Sequence, residues 1–440
     1  MKLLIVSLSS CCLTPISYSM HFCKNLLLLF CLLIHAIFAS AKNQSADTLY
    51  KTKDLQDIIR SVVKSKSYND TAKSHSNLTF LPSLSYTPSY GLEFGIVLAG
   101  GENFGDTSNT TFSIYNTNVF LSTTGLASAE FKHNDFSSEN KWNLQGDYQV
   151  GRTIDLDYGL GTGRPHQTDD NFVLNGLPVT LSPGVMPIQY TYLKFYEKIY
   201  RKLFNNFYAG MGVIIDGYEN IDKPRRGTAR RRSYNTMYSL KNGYPLGGYW
   251  ANGILFNLQY NSRDHPNRPY KGIYADVVLR LNSETLGSEH SATQLKTEFR
   301  KYWSLSKANP EHVLAFWLWG EYLLNGSLPY LELPGTGTDA DERGGRPYTI
   351  GRFKGTSFYF NEMEYRYPIS KNKLLSGVAF VNIQTGSNQQ NIRLFERWDS
   401  GEGAGLRLLF NKYTRSNICI DYGVGNYGAR GLFVALNEVF

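Results

Sequence analysis

Apolar and polar residues alternate along most of this chain with a period of two. The alternation is clearest just after a polar loop that begins at residue 345. The two faces there are Tyr359, Met363, Tyr365 and Tyr367 on one side, and Glu362, Glu364 and Arg366 on the other. A strand with large apolar residues on one face and charges on the other is typical of a transmembrane barrel wall between lipid and a wet lumen. The pattern predicts an all-β fold, a transmembrane antiparallel β-barrel.

The alternating segments can be counted along a barrel domain that we place at residues 78–440. They number about sixteen, an even number as expected for a bacterial single-chain barrel. The predicted strands are 79–86, 91–100, 110–121, 125–133, 140–150, 189–201, 206–217, 248–262, 272–282, 292–304, 312–324, 355–368, 374–385, 402–410, 416–425 and 430–440.

The lengths of the connections support this count, because outer-membrane barrels alternate short periplasmic turns with longer outer loops. If the first strand runs outward, every long connection falls outside and every compact turn falls in the periplasm. The long connections are 151–188, 218–247, 325–354 and 386–401. The compact turns are 134–139, 202–205, 305–311, 369–373 and 411–415.

Two segments precede the predicted barrel. The second half of residues 1–41 has a short basic start, then an apolar core, then Ala39-Ser40-Ala41. This order predicts a signal peptide that is cleaved after Ala41, and Met20 is an alternative start of the chain. A competing lipoprotein signal ends at Cys11, but the apolar segment before it is short. Residues 42–77 form a short periplasmic segment with one amphipathic helix at 50–64. That helix either docks in the periplasmic mouth of the barrel or is a loosely held linker.

Composition agrees with a membrane-embedded barrel. Hydrophobic residues make up 42% of the chain, and its mean hydropathy is −0.32. The chain contains 31 tyrosines and 25 phenylalanines, which are the residues that form aromatic girdles at membrane interfaces. The net charge of +8 permits contact with lipid and lipopolysaccharide, whereas no basic and aromatic module predicts a nucleic-acid partner. The densest basic run is Lys223, Arg225, Arg226, Arg230, Arg231 and Arg232. It either binds lipopolysaccharide phosphates or is simply solvated.

We find no catalytic or metal-binding pattern. Four of the five cysteines lie in the predicted leader, so Cys419 alone cannot form a disulfide framework or a thiolate metal site. No Gly-x-Ser-x-Gly elbow occurs, and the eight histidines lack metal-ligand spacing. His265 and His312 each follow an acid, in a pattern typical of solvated surface pairs. We therefore expect no enzyme activity, cofactor or metal.

Several motifs resemble those of the bacterial surface antigen family of outer-membrane proteins, to which BamA and TamA belong. They are the Arg-Asp-x-Pro turn at 263–272, Glu-Tyr-Arg-Tyr-Pro at 364–368, Gly-x-Gly-Leu-Arg at 403–407 and the final aromatic Phe440. In relatives the barrel follows POTRA modules, and the space between Ala41 and Leu78 is too short for one. The resemblance thus implies a member without POTRA modules, in which Phe440 serves as the barrel signal read by the assembly machinery.

The resemblance also points to a site. In the family an Arg-Gly-aromatic tip on the sixth outer loop folds into the lumen, where its arginine meets an acid on the wall. The nearest match is Arg346-Pro347-Tyr348, followed by Arg352, Lys354 and Gly355. Pro347 replaces the family's Gly and fixes φ near about −65°, so the tip must be altered.

The wall partners of this loop are open at the level of sequence. The family's wall acid is replaced by Asn382, whose amide could accept a hydrogen bond from Arg346. Alternatively, Arg346 or Arg352 pairs with Glu362 or Glu364, whose side chains should face inward. Arg366, on the same face, completes the predicted set.

The resemblance implies an integral protein of the outer membrane of a Gram-negative-type bacterium that assists insertion or translocation of outer-membrane components. In relatives the first and last strands pair weakly and open a lateral gate, through which nascent outer-membrane proteins would be partners. Strand 79–86 contains Pro82, which cannot donate to a ladder. The alternative is a passive pore or structural surface antigen with a loop-filled lumen.

Overall fold

The computed structural model describes residues 52–55, 57–58, 79–87, 90–163, 172–174, 177–179, 185–223, 233–388, 393–412 and 414–440. The predicted signal peptide, most of segment 42–77 and the arginines of the basic run lie outside the described residues. The barrel belongs to one unit, Lys51–Leu305 with Pro310–Phe440. The described residues of the other unit are Ser306–Asn309, a short turn in which the Asn309 amide donates to Ser306 Oγ at 3.2 Å.

Sixteen antiparallel strands close into a barrel, which confirms the predicted fold and strand number. The barrel strands are β1 (Thr79–Thr87), β2 (Gly91–Glu102), β3 (Ser113–Ser122), β4 (Ala127–Phe136), β5 (Trp142–Asp157), β8 (Met186–Phe204), β9 (Phe207–Glu219), β10 (Gly248–Asn261), β11 (Gly272–Asn282), β12 (Ala292–Ser304), β13 (Val313–Gly326), β14 (Ser357–Pro368), β15 (Leu375–Gly386), β16 (Asp399–Asn411), β17 (Ser416–Gly425) and β18 (Arg430–Leu436). A separate hairpin, β6 (Phe172–Leu174) with β7 (Leu177–Val179), lies in the connection after β5. None of the helices in the described ranges is long and apolar enough to span a membrane.

The period of two separates a lipid face from a lumen face. Outward-facing residues such as Leu121 and Met211 are exposed, at 62% and 60%. Inward-facing Glu362 and Glu364 on β14 are fully buried, at 0% each, because the lumen is filled by protein. The predicted faces of β14 are therefore the observed ones.

The outer end of the lumen is covered by connections. Helix α1 (Tyr234–Asn242) follows β9; Ser233 caps it by accepting from the Thr236 amide, and Gly243 ends it at φ 78°. The Tyr238 hydroxyl donates to the Leu328 carbonyl at 2.9 Å, which ties α1 to the connection between β13 and β14. The sequence predicted this region only as a long outer loop.

The last predicted strand is wrong at its end. β18 stops at Leu436, and Asn437 takes a left-handed φ of 70°. The prediction placed Phe440 on the same lipid face as Leu436, but Phe440 is buried in the lumen. Continuing the strand would carry Glu438 onto that lipid face, which is unfavourable for a carboxylate. The chain turns inward instead.

The described part of segment 42–77 contacts the periplasmic end of the barrel. Asp54 caps a helical turn that begins at Leu55, later than the predicted start at residue 50, since Asp54 accepts from the Asp57 amide at 2.8 Å. The Lys53 amide donates to the Asn372 carbonyl at 3.0 Å, and Lys412 Nζ lies 2.8 Å from Asp57. The first turn of this helix is thus attached to two periplasmic turns. Its remainder lies outside the described residues.

Candidate functional site: the lumen loop and the seam

The connection between β13 and β14, residues 327–356, folds down into the barrel and is called the lumen loop here. It is held together by its own backbone: the Thr336 amide donates to the Phe353 carbonyl and the Gly351 amide to the Thr336 carbonyl, both at 2.8 Å. The left-handed conformation required at its tip is supplied by Gly345, at φ 89°. Replacement of the family's glycine by Pro347 therefore does not prevent the loop from turning.

Arg346 is the centre of the contact between the loop and the wall. Its Nη2 lies 2.5 Å from Glu362 Oε1 and 2.6 Å from Glu364 Oε1, both on β14. Its Nη1 bonds to Asp421 on β17, and its guanidinium lies 3.8 Å from the centre of the Phe380 ring. Of the predicted alternatives, the structure shows the pairing of Arg346 with both glutamates.

Asp421 was not among the predicted partners of Arg346. The period of two did place its side chain in the lumen, together with that of Cys419, and both are buried at 2%. What the sequence lacked was the distance across the lumen, because Asp421 lies 75 residues from Arg346.

Asn382 contacts the loop as a hydrogen-bond donor, whereas the sequence suggested that it would accept a bond from Arg346. Its Nδ2 donates to the Arg346 carbonyl at 2.5 Å and to Glu362 Oε2 at 3.2 Å. Asn382 therefore fixes the loop backbone and orients a wall carboxylate, instead of accepting from the guanidinium. An aspartate there could not donate these bonds.

Neighbouring arginines balance the wall acids. Arg366 lies 2.7 Å from Glu364, and Arg407 lies 2.5 Å from Asp421. With Arg346 the cluster contains three guanidinium groups and three carboxylates, all nearly buried. A buried network of this kind adds little net stability over an apolar core, but loss of one member is strongly destabilising because a charge is left unpaired.

Glycines in β16 and β17 make room for the loop tip. A Cβ at Gly401 would lie 2.5 Å from Pro347 Cδ, and one at Gly423 would lie 2.9 Å from Pro347 Cβ. A Cβ at Gly425 would lie 2.7 Å from the Tyr348 ring. The missing side chains thus form the seat of the Pro347-Tyr348 pair. Glycine on the lumen-facing positions of adjacent strands is the signal by which the sequence could have shown this seat.

The rest of the predicted loop motif holds the loop to the outer connections. The Tyr348 hydroxyl accepts from the Asn426 amide at 2.7 Å. Arg352 does not contact either glutamate; it donates to the Gly163 carbonyl at 3.0 Å. Lys354 Nζ lies 4.8 Å from the centre of the Tyr330 ring. The Gly355 amide donates to the Pro334 carbonyl at 2.9 Å.

The seam is the junction of β1 and β18, where the barrel closes. Among the described residues it has one registered pair, Tyr86 with Val434. By contrast, β1 pairs with β2 at every position from Thr79 to Thr87. Within the described backbone, the seam is the weakest junction of the barrel.

The described residues contain no group of three or more His, Cys, Asp or Glu placed to hold a metal ion. His312 Nδ1 lies 2.9 Å from the Tyr365 hydroxyl. His265 Nδ1 accepts from the Asn267 amide at 3.2 Å, which is a turn contact.

A closed barrel with an apolar outer wall, an arginine-held loop in its lumen and one weak seam defines an integral protein of the outer membrane of a Gram-negative-type bacterium. Residues 103–425 match the Omp85 superfamily domain. The chain belongs to the Omp85 superfamily.

The solved structures that are similar to this chain include two bacterial proteins, BamA and CdiB. One is BamA from Haemophilus ducreyi lacking POTRA domains 1-3, with a TM-score of 0.51 and 13% identity over 83% of this chain and 70% of that chain. The other is CdiB from Acinetobacter baumannii, with a TM-score of 0.48 and 12% identity over 83% of this chain and 60% of that chain. At such identities the BamA likeness concerns the fold alone. No curated protein sequence is a significant match.

Proposed function

We propose that this barrel assists the insertion or translocation of outer-membrane components, and that the seam between β1 and β18 is where a client strand engages. The observation that carries the proposal is the single residue pair joining these two strands. Membership of the Omp85 superfamily supports it.

The seam leaves a strand edge without a ladder partner. In the described backbone, β1 from Thr79 to Ser85 pairs with β2 on one side only. Unpaired backbone groups are costly in lipid, and an extended segment can satisfy them by adding as a strand. Pro82 lacks an N–H and so weakens any fixed ladder at this edge. The edge is thus suited to transient pairing with a client strand.

The filled lumen favours a lateral route over passage through the barrel. The lumen loop is fastened by Arg346 to Glu362, Glu364 and Asp421, and α1 covers the outer end. An extended chain entering the lumen would have to break this buried network first. A client at the seam need only displace one residue pair.

Site-specific photocrosslinking in cells tests the proposal. A photoreactive residue is placed at successive positions of 79–86 and 430–436, and matched controls are placed at Phe256 and Leu279, which face lipid within a complete ladder. We expect capture of nascent outer-membrane proteins at the seam and not at the controls. Equal capture at both sites, or crosslinks confined to β1 with β18, would contradict the proposal.

A loop-filled lumen is also compatible with a second candidate, a structural surface antigen or a passive pore plugged by the loop. Deletion of residues 340–354 discriminates between the two, because it removes Arg346 and the loop tip. A pore predicts single-channel conductance that rises on deletion together with an absence of client crosslinks at the seam. If the protein assists insertion, the intact chain should crosslink to client proteins at the seam and not at the control positions.

The partners that follow from this proposal are nascent outer-membrane proteins, the barrel assembly machinery during the protein's own insertion, and membrane lipid with lipopolysaccharide. We further propose that Phe440 is part of the signal for that assembly. The predicted lipopolysaccharide contact through the basic run lies outside the described residues, except at Lys223.

A further inference from the structure

The four residues after β18, Asn437–Phe440, leave the barrel wall and enter the lumen; they are called the tail here. The last pair of β18 with β17 is Leu436 with Ile418. The Asn437 amide still donates to the Asn417 carbonyl at 2.7 Å, but its φ of 70° turns the chain inward. Val439 and Phe440 are then buried at 5% and 4%.

The alternative position of the tail is set by the register of the seam. Val434 lies opposite Tyr86, and the strands are antiparallel. Each step forward along β18 is therefore a step back along β1, so Leu436 would face Leu84 and Glu438 would face Pro82. In that ladder Glu438 would point toward lipid and Pro82 could donate no hydrogen bond. Both features weaken the closed ladder without forbidding it.

Arginines of the lumen hold the tail in its observed position. Glu438 lies 2.7 Å from Arg407 and 3.3 Å from Arg268. The Phe440 ring stacks on Trp317 with centroids 5.2 Å apart, and its carbonyl accepts from Arg366 at 2.7 Å. The carboxylate that is unfavourable in lipid is thus fully paired in the lumen.

One of the residues holding the tail belongs to the lumen loop. Arg343 donates to the carbonyls of Leu436, Asn437 and Glu438 at 2.6, 2.9 and 2.9 Å. Three carbonyls in a turn can converge on one guanidinium only while the tail stays inside. Arg343 therefore connects the position of the loop to the position of the tail.

We propose that the tail is a latch through which the lumen loop controls the seam. While the loop is seated, Arg343 keeps the tail in the lumen and β1 keeps a free edge. When the loop withdraws, the tail is released to extend β18 along β1, and the seam closes. This inference deepens the proposed function by naming its regulation, and it rests on that function for its biological role.

A disulfide that can form only in the closed ladder tests the latch. The reporter combines Leu81→Cys with Val439→Cys, which would face each other only if the tail extended β18, in a Cys419→Ser background. The control pair combines Tyr86→Cys with Val434→Cys, which are already opposite each other. Oxidation is followed in purified barrel without clients. We expect little reporter disulfide in the otherwise unchanged chain and a severalfold increase with Arg343→Gln. The control pair should form equally in both.

Two further variants keep the test decisive. Glu438→Leu removes the charge that opposes the closed ladder and should raise the reporter disulfide even with Arg343 present. Arg352→Gln alters an arginine of the same loop that bonds to Gly163 and not to the tail, so it should raise the reporter disulfide much less than Arg343→Gln does. Heat-modifiable mobility on gels verifies that each variant is folded.

The latch is overturned if neither Arg343→Gln nor Glu438→Leu raises the reporter disulfide, or if Arg352→Gln raises it equally. Because no client is present, this result is independent of seam capture in cells. A working latch with no client capture would instead refute the proposed function alone.

Discussion

Replacement of Arg346 by Met is the sharpest test of how the loop is held. Met keeps the length and apolar stem of the side chain but removes the cation shared by Glu362, Glu364 and Asp421. Breaking a buried charge pair by removing one partner costs about 3–5 kcal/mol. Since the three acceptors form one network, their contributions do not add, and we use this range for the whole cluster.

The expected result is a loop that opens far more often. At about 1.4 kcal/mol per factor of ten, this cost raises the open fraction by roughly a hundredfold to a few thousandfold. The reporter is Thr336→Cys in a Cys419→Ser background, because Thr336 is only 1% exposed and reacts with a maleimide only when the loop opens. The labelling rate in folded barrel then follows the open fraction.

Two matched substitutions define the contribution of Arg346. Arg346→Lys keeps the charge but lacks the planar fork that reaches several acceptors, so its labelling rate should be intermediate. Arg352→Met breaks no carboxylate pair of the cluster; it removes a hydrogen bond to a neutral carbonyl and contacts with aromatic rings, and at a cost of about 1.5 kcal/mol it should raise labelling by roughly tenfold. If Arg346→Met labels no faster than Arg352→Met, the carboxylate cluster is not what holds the loop.

Three smaller predictions concern the seat of the loop and the periplasmic end. Gly425→Ala should release the loop tip at a cost of about 1–3 kcal/mol, because its Cβ would lie 2.7 Å from the Tyr348 ring, and the same labelling assay measures it. Burial is the main reason why the pKa of His265 is lowered to about 4, and the positive charge of nearby Arg415 adds to the effect. The neutral histidine therefore contributes stability that is complete above about pH 6.5 and is lost as the pH falls toward 4. His265→Asn should flatten this part of the pH dependence of urea unfolding; an unchanged slope would refute it. Lys412→Met removes the pair with Asp57, which is partly exposed, so it should weaken attachment of the helix start by no more than about 1 kcal/mol. The yield of a disulfide between Lys53→Cys and Asn372→Cys measures that attachment.

Local alternation was sufficient to predict the barrel. Each strand presents its lipid and lumen faces through its own residues, so the fold class, the even strand count and the inward orientation of Glu362 and Glu364 follow from short stretches of sequence. Chain order then fixes the neighbours of each strand, since consecutive antiparallel strands pair. The resemblance of Arg346-Pro347-Tyr348 to a family motif indicated the loop, and the inward faces indicated two of its partners.

The tertiary structure decided which groups meet across the lumen. Asp421 joins Arg346, and Arg343 holds the tail, through contacts between residues about 75 and 94 positions apart. No periodicity encodes such distances, because they depend on barrel diameter and on how far the loop descends. The inward turn at Asn437 could not be predicted from the alternation of apolar and polar residues either, because that alternation reports side-chain faces only while a strand continues. The turn depends on whether the Glu438 carboxylate has the lower free energy facing lipid or in the lumen. The arginines that stabilise it in the lumen come from distant strands and connections.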